Sequence, residues 1–193
     1  MTASKIKSVV TRRRDHHNLV QSLLYKEPPT HLPALHWGRV SEPKAVAKYE
    51  EKFLDRIVSQ CGLIIHGTMK FGTAPPDRLV HDPTFDPADG IMEVKCPVAT
   101  MERPEVAAVT KKGFCLQSGN GKVSLNREHA YHYQVMCQMS CRGLLWCDFV
   151  IMCAGEIFLE CIHYDAKFWA DCVPKLRGFY MEYLLPELAC PGQ

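Results

Sequence analysis

The chain has 193 residues, 47% of them hydrophobic and 23% charged, with a formal net charge of +2. That balance excludes a disordered or collagen-like chain. The length suits one domain that buries its core without a disulfide or metal staple. No run approaches ~18 consecutive apolar residues, which excludes a transmembrane helix, and no membrane partner is expected.

In chain order, MTASKIKSVVTRRRDHH is basic and lacks the apolar core of a secretory signal. Residues 3–25 read as a helix with Ile6, Val9, Val10, Leu19, Leu23 and Leu24 as its apolar positions. Pro28, Pro29 and Pro33 make 27–36 a connector. Ser41 is the expected N-cap of a second helix, with Pro43 just inside it. Ala45, Tyr49, Phe53 and Ile57 carry that helix to about Gln60, and Gly62 ends it. Three strands follow, at 63–67, 77–81 and 90–96, the last two joined by the turn-rich HDPTFDPADG. Residues 98–123, with Gly113, Gly119 and Gly121, form a looser stretch. A helix covers 126–141, and 144–153 with 156–164 make a hairpin through Ala154–Gly155. Asp165 then caps a last helix to about Leu185. This order predicts an α/β or α+β domain with a mixed central sheet. It reads as a single domain over 1–193, with a basic segment to about 36, a core over 37–164 and a C-terminal helix over 165–186.

Ten cysteines (61, 96, 115, 137, 141, 147, 153, 161, 172 and 190) invite a disulfide reading. Many sit in apolar runs such as LLWCDFVIMC, where Cys acts as a small hydrophobe, and there is no Cys-x-x-Cys pair. A reduced, intracellular protein is expected. Charge is uneven: residues 1–26 hold six basic groups against Asp15, while 144–193 hold three against seven acids. The basic end points to an anionic partner such as nucleic acid, or to a solvated helix face or nuclear localisation signal at Arg12, Arg13 and Arg14.

The segment GIMEVKCP (90–97) carries the chemistry. Residues two apart on a strand share a face, so Glu93 and Lys95 project together, opposite Met92, Val94 and Cys96. Asp77 lies 16 residues upstream at the start of the preceding strand, and pairing of the two strands brings it to Glu93. Paired carboxylates suit a hard divalent cation such as Mg²⁺, and a neighbouring lysine suits phosphate chemistry. Taken by themselves, Glu93 and Lys95 also fit a simple surface pair. Glu42 follows Trp37-Gly38 into the preceding helix, where a first-turn carboxylate ordinarily meets only the helix dipole. Arg127, Tyr131, Gln134 and Gln138 are spaced to share one face of the later helix. They form either the wall of a phosphodiester groove or a solvent-facing polar stripe.

These segments resemble the YqaJ viral-recombinase family, the lambda-exonuclease type of the PD-(D/E)XK nucleases, and its metazoan-like members match best. The resemblance runs through LLYKEPPTHLPALHWGRVSEPKAVAKYE, GLIIHG, APPDRLV, GIMEVKCP, LNREHAYHYQVMCQM, LLWCDFVIM and HYDAKFWADCVPKLRGFYMEYLLPEL. It implies a restriction-endonuclease-like core. Asp77, Glu93, the carbonyl of Val94 and Glu42 would hold Mg²⁺ or Mn²⁺, Lys95 would position the attacking water, and Gln134 would orient that water or the lysine. The implied reaction is hydrolysis of DNA phosphodiesters, 5′-to-3′ from duplex ends. Alternatives on the same fold are a structure- or RNA-directed endonuclease, or a silenced nucleic-acid-binding module. Relatives imply a homo-oligomer, ring-shaped trimers among them, and a single-strand annealing partner. Thr2-Ala3-Ser4 resembles the family's element for a terminal phosphate. In the family further sequence precedes it, so a chain beginning at Met1 is expected to lean on Lys5, Lys7 and Arg12–Arg14 for phosphate contacts. Where the family reads Ser-Pro-Asp-Gly, this chain reads Pro75-Pro76-Asp77-Arg78. Arg78 is thereby expected beside the metal site, gripping a phosphate or narrowing the groove.

Overall fold

The computed structural model describes residues 1–26, 33–97, 102–119 and 121–192. The chain begins with a 3₁₀ turn (Ala3–Lys5), α1 (Ile6–Val10) and α2 (His16–Leu24). The single helix expected over 3–25 is therefore broken, with Asp15 left-handed at φ 55°. Ile6, Val9 and Val10 are buried, as are Leu19 and Val20, but TRRRDHHN between them offers nothing apolar to bury. Arg12 holds the break by donating to the carbonyls of Arg14 (2.7 Å) and Asp15 (2.9 Å).

α3 spans Pro33–Lys52, so the second helix starts earlier than expected and stops sooner. Proline at a first helical position has its φ preset and owes no N–H, so Pro33 opens a helix instead of extending the connector. The rest of that connector, 27–32, lies outside the described residues. Ser41 is buried mid-helix with Pro43 beside it and is not an N-cap. The residues expected as the helix's last turn form β1 (Ile57–Gln60), which pairs with β4. Its β-branched Ile57 and Val58 suit that edge better than a helix end.

β2 (Ile64–Ile65) and β3 (Thr73–Ala74) pair with each other, apart from the central sheet. β4 (Arg78–His81) and β5 (Asp89–Lys95) are antiparallel, as the turn-rich loop implied. The expected loose stretch contains α4 (Pro104–Thr110) and a small hairpin of β6 (Leu116–Gly119) and β7 (Lys122–Leu125); 98–101 lie outside the described residues. α5 (Ala130–Arg142) leads to β8 (Trp146–Cys153) and β9 (Glu156–His163). Their two-residue turn has positive φ at both Ala154 (49°) and Gly155 (78°), the backbone a tight hairpin needs. Asp165 accepts from the Phe168 N–H and starts α6 (Ala166–Phe179), followed by a π turn (Tyr180–Leu184) and α7 (Leu185–Ala189).

The central sheet runs β1-β4-β5-β8-β9, with β5 and β8 parallel and the other pairs antiparallel. Both its faces are covered. Ile91, Cys147, Phe149 and Ile151 pack with α1, α5 and α6 on one face. Met92, Val94, Trp146 and Val150 pack with Ala45, Val46 and Tyr49 of α3 on the other. All eight residues of β8 are consequently buried. The cysteines are free among the described residues, and no described helix is long and apolar enough to cross a membrane.

Candidate active site

β5 is the middle strand, and its C-terminal end carries the candidate chemistry. Ile91 and Glu93 point toward α5, and burial on both faces leaves Glu93 only 1% exposed. The simple surface pair is therefore excluded. Lys95, two residues on, donates to Glu93 Oε1. Gln134 Nε2 donates to the same oxygen at 2.5 Å, and Gln138 Nε2 donates to Oε2 at 2.6 Å. The two amides sit one turn apart on α5, so this part of the expected polar stripe grips a carboxylate instead of facing solvent.

Asp77 immediately precedes β4 and accepts from the Val94 N–H at 2.7 Å. Burial, and then the nearby Glu93 carboxylate, push its carboxyl up to about 7. Burial alone would lower the Lys95 ammonium, but Glu93 outweighs it and holds the lysine above its usual range, hence protonated. The ammonium also lies 4.9 Å from the centre of the Tyr131 ring. A cleft of about 350 Å³ opens at this end of the sheet, lined by Leu35, Glu42, Asp77, Val94, Lys95, Cys96 and Tyr131 among others. Glu42 is not in a first helical turn. It stands mid-α3, one oxygen taken by Arg78 at 3.1 Å, and the same guanidinium nitrogen also donates to the Asp77 carbonyl.

Two close carboxylates, one driven up by burial and then by the other, form the hard-oxygen donor set whose repulsion a divalent cation relieves. The side chains present fit such an ion as a two-carboxylate site. Among the described residues no three His, Cys, Asp or Glu side chains converge to hold a metal unaided, because Glu42 stays with Arg78.

The other expected nucleic-acid contacts divide. The 3₁₀ turn carrying Ser4 and Lys5 packs on α5, and Thr2 bridges to Thr73. Burial lowers the His129 imidazole, and the charges of Lys7 and Lys95 lower it further; α1, which carries Lys7, packs on α5 as well. Arg12 and Arg13 line a different hollow, with His16 and Lys175, and Arg14 is exposed. Arg127 lies ahead of α5, off the shared face, and pairs with Glu160 at 3.0 Å. Sequence reasoning did not assign Gln138 to the site, although its Gln-x-x-x-Gln spacing with Gln134 was a visible signal.

A mixed five-stranded sheet with helices on both faces, and a carboxylate pair and lysine at the end of adjacent strands, is the PD-(D/E)XK nuclease fold. The YqaJ-like viral recombinase domain matches residues 1–144, and the chain belongs to that family. Among solved structures it is similar to the alkaline exonuclease of Laribacter hongkongensis. The likeness has 28% identity and a TM-score of 0.72 over 98% of this chain and 89% of that one, with the same values for that enzyme in complex with dAMP. A phage-related exonuclease from Haemophilus somnus 129PT shares the fold at 11% identity and TM-score 0.66, covering 97% and 96%. These matches give the metazoan-like resemblance no support. No curated protein matches.

Proposed function

We propose that the chain is a metal-dependent nuclease that hydrolyses DNA phosphodiesters, working 5′-to-3′ from duplex ends. One observation carries the reading. In a chain 28% identical to an alkaline exonuclease along nearly its whole length, Asp77 and Lys95 line one cleft, and the buried Glu93 beneath them accepts from Lys95. Asp77, Glu93 and the Val94 carbonyl would hold Mg²⁺ or Mn²⁺, with Glu42 added once Arg78 releases it. A bound cation there supplies Lewis-acid activation of a water and neutralises charge on the scissile phosphate. Lys95 brings a fixed positive charge to the same place, and Gln134 holds Glu93 so that the lysine and the carboxylate keep one orientation. Thr2, Ser4, Lys5 and Lys7 contact the DNA backbone beside the cleft, with Tyr131 on its wall and Arg12, Arg13, Arg14 and Arg127 as outer contacts. Such phosphate contacts position the duplex without reading its sequence.

The reading is tested by digesting linear duplex labelled at either end, beside closed circles, with Mg²⁺, Mn²⁺ or EDTA and with Glu93→Ala as control. Stepwise metal-dependent loss of the linear substrate alone, from its 5′ ends, is the expected result. Cleaved circles would replace it with an endonuclease.

A second reading is favoured by Arg78, which occupies Glu42 where a cation competes for it. In that reading the chain binds nucleic acid without cutting it. Arg78→Gly would then switch on cleavage that the wild-type chain lacks.

A further inference from the structure

Gln138 differs from the other groups around Glu93. It is completely buried, and its one amide nitrogen serves two acceptors: Glu93 Oε2 at 2.6 Å and the Pro75 carbonyl at 3.2 Å. Pro75 is two residues before Asp77. The amide therefore spans from the carboxylate on β5 to the turn that presents the other carboxylate. Its own Oε1 is buried without a partner among the described residues. A side chain placed for stability alone would not leave an acceptor orphaned.

The lone pairs of Glu93 show what the span does. A carboxylate oxygen accepts about two hydrogen bonds. Lys95 and Gln134 both donate to Oε1 and fill it. Among the described residues Oε2 receives Gln138 alone, so one acceptor position stays open on the oxygen tied toward the Pro75–Asp77 turn.

We propose that Gln138 is a positioning residue that turns Glu93 so that Oε2 is the oxygen offered with Asp77 to a divalent cation. The inference rests on the metal-site reading above and extends it by a residue that touches neither cation nor DNA.

The test uses the full chain with Gln138→Met, which keeps the shape of the side chain and removes both polar groups. Mn²⁺ binding is measured by calorimetry, and cleavage of linear duplex is resolved into kcat and KM. Outer positioning groups typically matter by about 10–100-fold, so Mn²⁺ affinity and kcat should each fall by roughly that factor while KM for DNA stays put. Unchanged affinity and kcat overturn the proposal, and so does a rise in KM alone, which would make Gln138 a DNA contact. If Gln138→Met does not fold, Gln138→Asn keeps the neutral amide but withdraws it by one methylene from Glu93 and carries the same expectation, with wild-type Mn²⁺ affinity overturning it. A wild-type chain that binds Mn²⁺ more tightly than the variant but cuts nothing would sink the nuclease reading and leave this inference standing. A wild-type chain that binds no Mn²⁺ overturns both.

Discussion

The two faces of the central sheet each hold a buried polar network, and they are built to opposite specifications. On the α3 face, Tyr49 donates to Asp148 at 2.6 Å, and Arg56 bonds Asp148, Tyr49 and Asp82. The guanidinium carbon lies 4.0 Å from the centre of the Phe53 ring, with Phe85 and Trp146 near it. Burial pulls Asp82 upward, but hydrogen bonds from Thr84 and Arg56 outweigh that and hold its carboxyl below the usual range. On the α5 face, Asp77 has one donor among the described residues, the Val94 N–H, and burial, then the Glu93 charge, push its carboxyl up to about 7. The first network is closed against solvent, with Asp82 held ionised. The second opens on a cleft and leaves a carboxylate poorly compensated. A satisfied network stabilises a fold, whereas a frustrated one at a cleft is what a ligand resolves.

The largest effect expected from breaking this contrast is catalytic. Asp77→Asn should slow cleavage by about a thousand-fold or more, while the melting temperature at pH 8 holds or rises, because a disfavoured charge is gone. An end-labelled digestion and a thermal melt check both halves. A fall in stability with cleavage retained would reverse the roles given to the two faces.

Asp148→Ala should do the opposite. It takes from Tyr49 its acceptor and from Arg56 one of two carboxylates, Asp82 remaining, so the cost stays at or below the ~3–5 kcal/mol of a broken buried ion pair. That ceiling is on the order of 10 °C in Tm for a chain of this size. Denaturant unfolding measures it directly, and Mn²⁺ affinity should survive wherever the chain remains folded.

Gly90→Ala probes the strand between the networks. A Cβ there would stand 2.3 Å from the Trp146 ring, which is itself fixed by a 2.9 Å hydrogen bond to the Pro87 carbonyl. Overpacking of this kind costs ~1–3 kcal/mol. Unfolding curves of the variant should show that loss, with a wild-type result meaning that the ring yields.

The smallest effect is a pH dependence. His132 on α5 is buried, and burial, then Arg127, lower its imidazole to about 4. Unfolded, the ring takes its proton near pH 6.5. Its contribution is therefore complete above pH 6.5 and is lost as pH falls toward 4. Between pH 7.5 and 5 the wild-type chain should lose about 1–2 kcal/mol more stability than His132→Phe. Parallel melts at the two pH values check it, and equal losses would show that the ring titrates normally in the fold.

Much of this was legible before any coordinates. Alternation on 90–96 put Glu93 and Lys95 on one side, the Ala154–Gly155 turn announced its hairpin, and Asp165 announced the last helix. The helix expected through Ile57 failed for a tertiary reason. Ala45, Tyr49, Phe53 and Ile57 keep helical spacing across the boundary, but pairing with β4 captures 57–60. The stripe on α5 was seen, but not that its two amides hold Glu93 while Tyr131 lines the cleft, because periodicity shows which residues share a face and not what that face meets.

What the sequence determined by itself, then, is which residue types stand at which spacing: an acid before one strand, an acid and a lysine two apart on the next, and two amides a turn apart on a later helix. Those patterns are short-range consequences of backbone geometry. Only the tertiary structure decided that Glu93 is buried and gripped from α5, that Arg78 claims Glu42, and that Arg56 closes the opposite face. These contacts join residues 26 to 99 positions apart, Arg56 with Tyr49 excepted. Burial decides their strength, and burial exists only once the strands and helices have packed.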